Sequence, residues 1–220
     1  MGNHRHRLSW VKAAIALLLG ILIAMPAKAA DCPTGLFRAV AGPDTASMLE
    51  IGKDGHFRYG LSEGAVDETA EGGWECADGV LLLTTEPTPK PARFRLDHVT
   101  QGEEAPFSLI VTWPDGNAVA GVDFKLDFDK GDPAIAYTQP SGWATDLDGR
   151  VPKTIQFAEP FYGTVSPVFP VPPGKGLRLH VVLEPNDMGV AAFSATRVRI
   201  EGERLLLEWR GRAIPYERQD

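Results

Sequence analysis

Residues 56–61 read His56-Phe57-Arg58-Tyr59-Gly60-Leu61, which puts Phe57, Tyr59 and Leu61 on one side of an extended chain and His56 and Arg58 on the other. The same period of two returns at Val122, Phe124, Leu126 and Phe128 against Asp123, Lys125, Asp127 and Asp129. It recurs at Leu177, Leu179, Val181 and Leu183 against Arg178, His180 and Glu184, and again at Leu205, Leu207 and Trp209. Successive side chains leave a pleated backbone on opposite sides, so this alternation marks half-buried strands. Turn pairs punctuate the runs: Asp54-Gly55, Asp78-Gly79, Asp115-Gly116, Asp148-Gly149 and Glu201-Gly202. With 23 Gly and 18 Pro spread along the chain, the best helical candidate after the N-terminal region, Ser62 to Ala70, is one or two turns. The expected fold class is all-β.

The N-terminus carries a different signal. His4, Arg5, His6, Arg7 and Lys12 form a basic head, Ala13 to Met25 is an apolar run, and Pro26-Ala27-Lys28-Ala29 supplies small residues at cleavage spacing. A spanning helix needs about 20 apolar residues, more than this run provides. Residues 1–29 therefore read as a secretory signal peptide cleaved after Ala29, the alternative being an uncleaved N-terminal anchor. The protein is expected to be exported, periplasmic or secreted, with no stable membrane span after cleavage.

Two cysteines, Cys32 and Cys76, both follow the leader. With no C-x-x-C and no histidine cluster beside either, an oxidising compartment predicts a disulfide between them. The leader holds four of the 22 bases and no acid, leaving 18 bases against 29 acids, a formal charge of −11. Such a surface disfavours nucleic acid and anionic membranes, while a cationic ligand or a basic protein fits it.

Proline-rich stretches at Glu86–Pro91 and Ser166–Gly174 and the polar segment Gln101–Pro106 suggest an N-terminal β-meander over 30–104, a second module over 105–165 and C-terminal hairpins over 166–220. The hairpins either complete the first sheet or barrel or form a further sequential unit. Thr112-Trp113-Pro114-Asp115-Gly116 running on to Ala120-Gly121-Val122-Asp123-Phe124, followed by Thr145-Asp146-Leu147-Asp148-Gly149-Arg150, resembles the carboxypeptidase-regulatory or transthyretin-like β-sandwich. The likeness covers residues 107–158 and rests on turn motifs. It implies a small immunoglobulin-like sandwich in a structural or adhesive role, with no catalytic residues to carry over. Asp54-Gly55-His56-Phe57, Gly72-Gly73-Trp74 and Val80 to Leu83 are similar to the meanders of exported bacterial proteins and imply a lipocalin-like partial barrel.

Searching for chemistry yields little. No G-x-S-x-G elbow, H-E-x-x-H pair, Walker loop or strand-following G-x-G-x-x-G occurs. His56, His98 and His180 read as solvated surface residues. No catalytic residue is assigned and no cofactor is expected. The richest cluster is acidic: Asp123, Asp127 and Asp129 share a strand face, and Asp146 and Asp148 follow in a turn. Convergence of such oxygens suits calcium, but the run from Asp127 has Asp132 where an EF-hand loop needs Gly and Thr138 where it needs Glu. The face is therefore read as solvated, with Asp127, Asp129, Asp146 and Asp148 as the alternative metal set. Trp143 and Tyr137, in a turn-rich stretch, are candidate ligand contacts by stacking on sugar rings or cationic side chains, core packing being the competing role for Trp143.

These readings favour a non-enzymatic binding or structural module of the cell envelope. One alternative is an exported inhibitor of a basic enzyme, presenting Ser166 to Pro173 as a protruding loop. The other is a hydrolase using paired carboxylates among Asp127, Asp129, Asp146 and Asp148, which glycosidic chemistry needs about 5 to 9.5 Å apart.

Overall fold

The computed structural model describes residues 32–102 and 106–219, so the leader expected over 1–29 and the boundary expected at residue 104 lie outside them. Every regular element among the described residues is a strand. Five come first as a meander: β1 (Gly35–Ala39), β2 (Thr45–Ile51), β3 (His56–Glu63), β4 (Val66–Ala77) and β5 (Val80–Thr85). Alternation turns Phe37, Leu49, Ile51, Phe57, Tyr59, Leu81 and Leu83 inward. Three C-terminal strands complete the wall: β15 (Thr196–Glu201), β16 (Arg204–Trp209) and β17 (Arg212–Arg218), with β15 paired to β5 and β17 to β1. The eight strands close into an antiparallel barrel in the order β1-β17-β16-β15-β5-β4-β3-β2, which leaves no open sheet edge.

The barrel interior is filled by side chains, Val198, Leu205, Leu207 and Tyr216 joining those of the meander. The Tyr216 hydroxyl donates to Ser47 Oγ at 2.6 Å, and Ser47 donates to the Gly60 carbonyl at 2.7 Å, so this buried pair is satisfied. Burial pushes the Tyr216 hydroxyl up to about 12. Asp78 and Gly79 join β4 to β5 with φ of 51° and 75°, the conformation of a two-residue hairpin turn.

Ser62–Ala70, the helical candidate, is instead the end of β3, a turn at Gly64-Ala65 and the start of β4. The inward residues of that half of β4 are Val66, Glu68 and Ala70. A charged residue on the core side hides the alternation from a sequence reader.

Between β5 and β15 the chain leaves the barrel and builds a second unit from β6 (Arg93–Thr100), β7 (Phe107–Thr112), β8 (Asp123–Phe128), β9 (Ala134–Tyr137), β10 (Trp143–Thr145), β11 (Pro152–Glu159), β12 (Thr164–Val165), β13 (Phe169–Pro170) and β14 (Arg178–Glu184). One sheet has the order β10-β7-β14-β6, with β7 and β14 parallel; the other runs β12-β11-β8-β9, with β13 also on β11. They share a core that includes Phe94, Leu109, Phe124, Leu126, Ile155, Phe157 and Val181. This unit is wider than the module expected over 105–165. It takes β6 from the N-terminal segment and β13 and β14 from the C-terminal one, because Phe94, Leu179, Val181 and Leu183 face this core and not the barrel.

The two connections run side by side where the units meet. Lys90 N donates to Asp187 Oδ2 at 2.7 Å, and Asn186 Nδ2 donates to the Pro91 carbonyl at 2.9 Å. The returning connection then enters the barrel wall. Ala191 N donates to the Thr69 carbonyl, and Phe193 N to Thr85 Oγ1. β4 makes room for it by changing partners near Gly72: residues 66–73 pair with β3, residues 72–77 with β5. A Cβ at Gly72 would lie 2.1 Å from the Thr84 carbonyl oxygen, so only glycine permits that approach. Phe193 fills the gap, its ring centroid 5.0 Å from Tyr59 and 4.7 Å from Trp209.

Candidate functional site

β6 and β14 are antiparallel neighbours, and their pairing slips by one residue at the centre. His180 lies opposite His98, but Val181 lies opposite Leu96, which leaves Asp97 as the extra residue of a β-bulge. Regular alternation would send Asp97 and His98 to opposite faces. Here both are exposed, while Leu96 and Val99 on either side turn inward against the core. The bulge thus gathers Asp97 and His98 beside His180 on the outer face of the sheet. Their donor atoms lie within 4.8 Å of one another.

Both imidazoles turn Nδ1 to one carboxylate oxygen. His98 Nδ1 is 2.8 Å from Asp97 Oδ2 and His180 Nδ1 is 3.2 Å from it. The rings meet edge to face at 4.8 Å between centroids. Two further polar atoms are tied back: His180 Nε2 lies 3.0 Å from Thr112 Oγ1 on β7, and Arg95 Nη1 donates to Asp97 Oδ1 at 2.5 Å. Arg95 is held in turn by Glu184 on β14, through Nε at 3.1 Å, and Arg93 donates to the other oxygen of Glu184. The Arg95 hydrogen bond, then that of His98, holds the Asp97 carboxyl far below the usual carboxylate range. Arg93 and then Arg95 lower that of Glu184.

Thr112, His180 and Asp97 make a hydroxyl–imidazole–carboxylate chain, the order of groups found in acyl-transfer enzymes. Thr112 is buried, at 4% exposure, so its hydroxyl orients the ring and does not face a substrate. What the outer surface presents is a pair of imidazoles and one carboxylate, a set with nitrogen and oxygen donors on rigid strands.

The residues singled out from the sequence fall elsewhere. Asp123 is exposed and Asp127 half-exposed on β8, Asp129 is exposed just past its end, and Asp146 and Asp148 are exposed in the connection from β10 to β11. Lys125 Nζ is 2.8 Å from Asp127, and Asp129 accepts the Val151 backbone N–H at 2.8 Å; each contact is the leading cause lowering that carboxyl. Replacing both, Asp127→Asn with Asp129→Asn, is expected to leave the urea midpoint of unfolding nearly unchanged, as for surface charges generally. Millimolar calcium should leave the melting temperature in place. A calcium-dependent rise of several degrees that the double variant abolishes would reassign these aspartates to a metal site.

Trp143 packs edge-on against Phe124, at 4.9 Å between centroids, inside the two-sheet core, whereas Tyr137 is exposed on β9. Ser166–Pro173 does not project as a loop. Ser166 Oγ accepts the Phe157 N–H, Phe169 and Pro170 pair with β11, and Val171 N donates to the Lys153 carbonyl. Of the histidines read as solvated, His56 remains a surface residue; His180 is half-buried and hydrogen-bonded. The sequence does hold one trace of the cluster. Phe94 and Leu96 are two apart, but the next inward residue, Val99, is three further on, the spacing a bulge imposes.

No protein-family model, curated protein or solved structure matches this chain.

Proposed function

We propose that the protein is an exported, non-enzymatic binding module of the cell envelope, with its ligand-facing surface on the outer face of the sheet β10-β7-β14-β6. The observation that carries this reading is where the polar side chains sit. Asp123, Asp129, Asp146 and Asp148 lie on open surface, not in the shaped, water-excluding cleft that carboxylate catalysis uses. The best-organised polar group, around Asp97 and Arg95, stands on an exposed sheet face supported from behind by a packed core. Export is supported by the leader pattern and by the Cys32–Cys76 disulfide. Among the described residues no helix is long and apolar enough to cross a membrane. The turn motifs over residues 107–158 support placing the two-sheet unit with transthyretin-like sandwiches.

Expression of the full chain in a bacterial host, followed by fractionation and mass analysis, tests the location. The expected product is exported, begins at Ala30 and resists alkylation at both cysteines until reduced; retention of Met1 in the cytosol would overturn it. That exported product then serves as bait in envelope extract, beside an Arg95→Glu variant that disturbs the proposed face. A ligand held by the first and lost by the second supports the reading, and identical retention by both removes this face from it.

A further inference from the structure

We propose that Asp97, His98 and His180 form a binding site for a divalent transition-metal ion, of the kind represented by Zn2+ and Cu2+, coordinated by Asp97 Oδ2 and the Nδ1 atoms of both imidazoles. The inference deepens the binding reading by naming a ligand for the same sheet face.

Three features point to a metal. The first is convergence: two ring nitrogens approach a single carboxylate oxygen at 2.8 and 3.2 Å. Donors around a tetrahedral ion at about 2.0–2.1 Å stand about 3.3 Å apart, so these separations are already those of a coordination polyhedron. The widest spacing in the group, up to 4.8 Å, would close by a shift of the His98 side chain, which is 55% exposed.

The second is the support behind the donors. A metal-bound imidazole characteristically donates its other N–H to an oxygen, and Thr112 Oγ1 waits 3.0 Å from His180 Nε2. Arg95 occupies Asp97 Oδ1, which leaves Oδ2, the oxygen both imidazoles already face, to ligate the ion. In the metal-free protein each Nδ1–H donates to the carboxylate, and the Thr112 hydroxyl donates to His180 Nε2. Binding moves each Nδ1 proton to the Nε2 of its own ring: that of His180 meets Thr112 Oγ1, whose hydroxyl rotates to accept, and that of the exposed His98 is left to solvent. The number of ring protons is unchanged by this exchange, so no acid or base has to be supplied.

The third is donor chemistry and charge. Two nitrogens and one oxygen suit Zn2+, Cu2+ or Ni2+ and not the all-oxygen shells of Ca2+ or Mg2+. Arg93 and Arg95 are offset by Glu184 and Asp97, and the acidic surface of the exported chain draws cations toward it. Three protein ligands on an open face leave a fourth position for water or a partner's side chain.

Calorimetric titration of the exported, disulfide-intact chain with ZnCl2 tests the site. One Zn2+ per chain is expected, bound in the micromolar range or tighter and following the order in which Cu2+ exceeds Zn2+. Loss of an outer-shell partner weakens metal sites about 10- to 100-fold, so Thr112→Val should fall in that range and His98→Ala or His180→Ala at or beyond its upper end. Asp127→Asn with Asp129→Asn should bind as the unmodified chain does. Copper titrated into the chain should show nitrogen hyperfine structure from two imidazoles in its electron paramagnetic resonance spectrum, reduced to one by His98→Ala. Because His98 is exposed, that variant keeps its fold even if His180→Ala does not. No zinc binding below millimolar, full affinity in His98→Ala, or a copper spectrum without nitrogen coupling would overturn the inference. Repeating the envelope capture in EDTA separates the two conclusions: a partner still retained there, in a protein that binds no zinc, preserves the binding reading and removes the metal.

Discussion

Removing the Cys32–Cys76 bond by Cys32→Ser with Cys76→Ser is expected to lower the unfolding free energy by about 4 kcal/mol. The two cysteines are 44 residues apart, and closing a loop of that length restricts the unfolded chain by about that amount in the chain-entropy model. A domain of this size is stable by only about 5–15 kcal/mol, so the loss takes a large share. The bond's position directs the effect to the barrel. Cys32 precedes β1 and Cys76 lies on β4, and two strands, β2 and β3, separate β1 from β4 around the wall. The bridge therefore spans one end of the barrel, beside Trp74, whose Nε1 donates to the Gly52 carbonyl at 3.0 Å. Urea unfolding followed by tryptophan fluorescence, with Trp113 and Trp143 replaced by Phe so that the barrel reports, is the measurement. A midpoint unchanged by the double serine variant would show that the bond contributes nothing to barrel stability.

Arg210→Ala should cost about 3 kcal/mol, at the lower end of the range for orphaning a buried charge. Glu68 is 2% exposed at the barrel's other end, where it pairs with Arg210 and accepts the Trp209 indole N–H at 3.3 Å. Without Arg210 its carboxylate keeps only a neutral donor. Arg210 itself is partly exposed, so water reaches the vacated position and holds the loss below the upper limit. Glu68→Gln retains the acceptor for Trp209 and removes the charge, and it should cost less than Arg210→Ala. In the double variant the Arg210 substitution should then cost about 1 kcal/mol or less, giving a coupling of about 2 kcal/mol. Additive single effects in that cycle would mean the pair is not coupled. Arg210 reaches Glu68 from a tight turn with Gly211, at φ of 49° and 71°, a conformation an arginine adopts only where the surrounding structure holds it.

Several of these features were open to a reader of the sequence alone. Phe57, Tyr59 and Leu61 alternate with His56 and Arg58, and the structure buries the first set and exposes the second. The pleat acts locally, so such alternation specifies a strand and its inward side. Asp78-Gly79 specifies its hairpin equally locally, and two cysteines have one way to pair within the chain. Alternation breaks at Glu68, a charge turned inward to meet Arg210, and at Asp97-His98, where a bulge puts consecutive residues on one face.

Whatever depends on neighbours distant in the chain had to wait for the tertiary structure. A period of two fixes which side of β5 is buried, but not that its neighbour is β15, beyond the whole two-sheet unit. The sequence left the C-terminal hairpins with two arrangements, and β15–β17 stand in the barrel wall between β5 and β1. His98 and His180 are equally remote from each other in sequence. Each alone reads as a surface residue, because a side chain's face is set by its own backbone while its partners are set by strand register. The register of β6 against β14, shifted by one residue at the bulge, makes Asp97, His98 and His180 a single cluster.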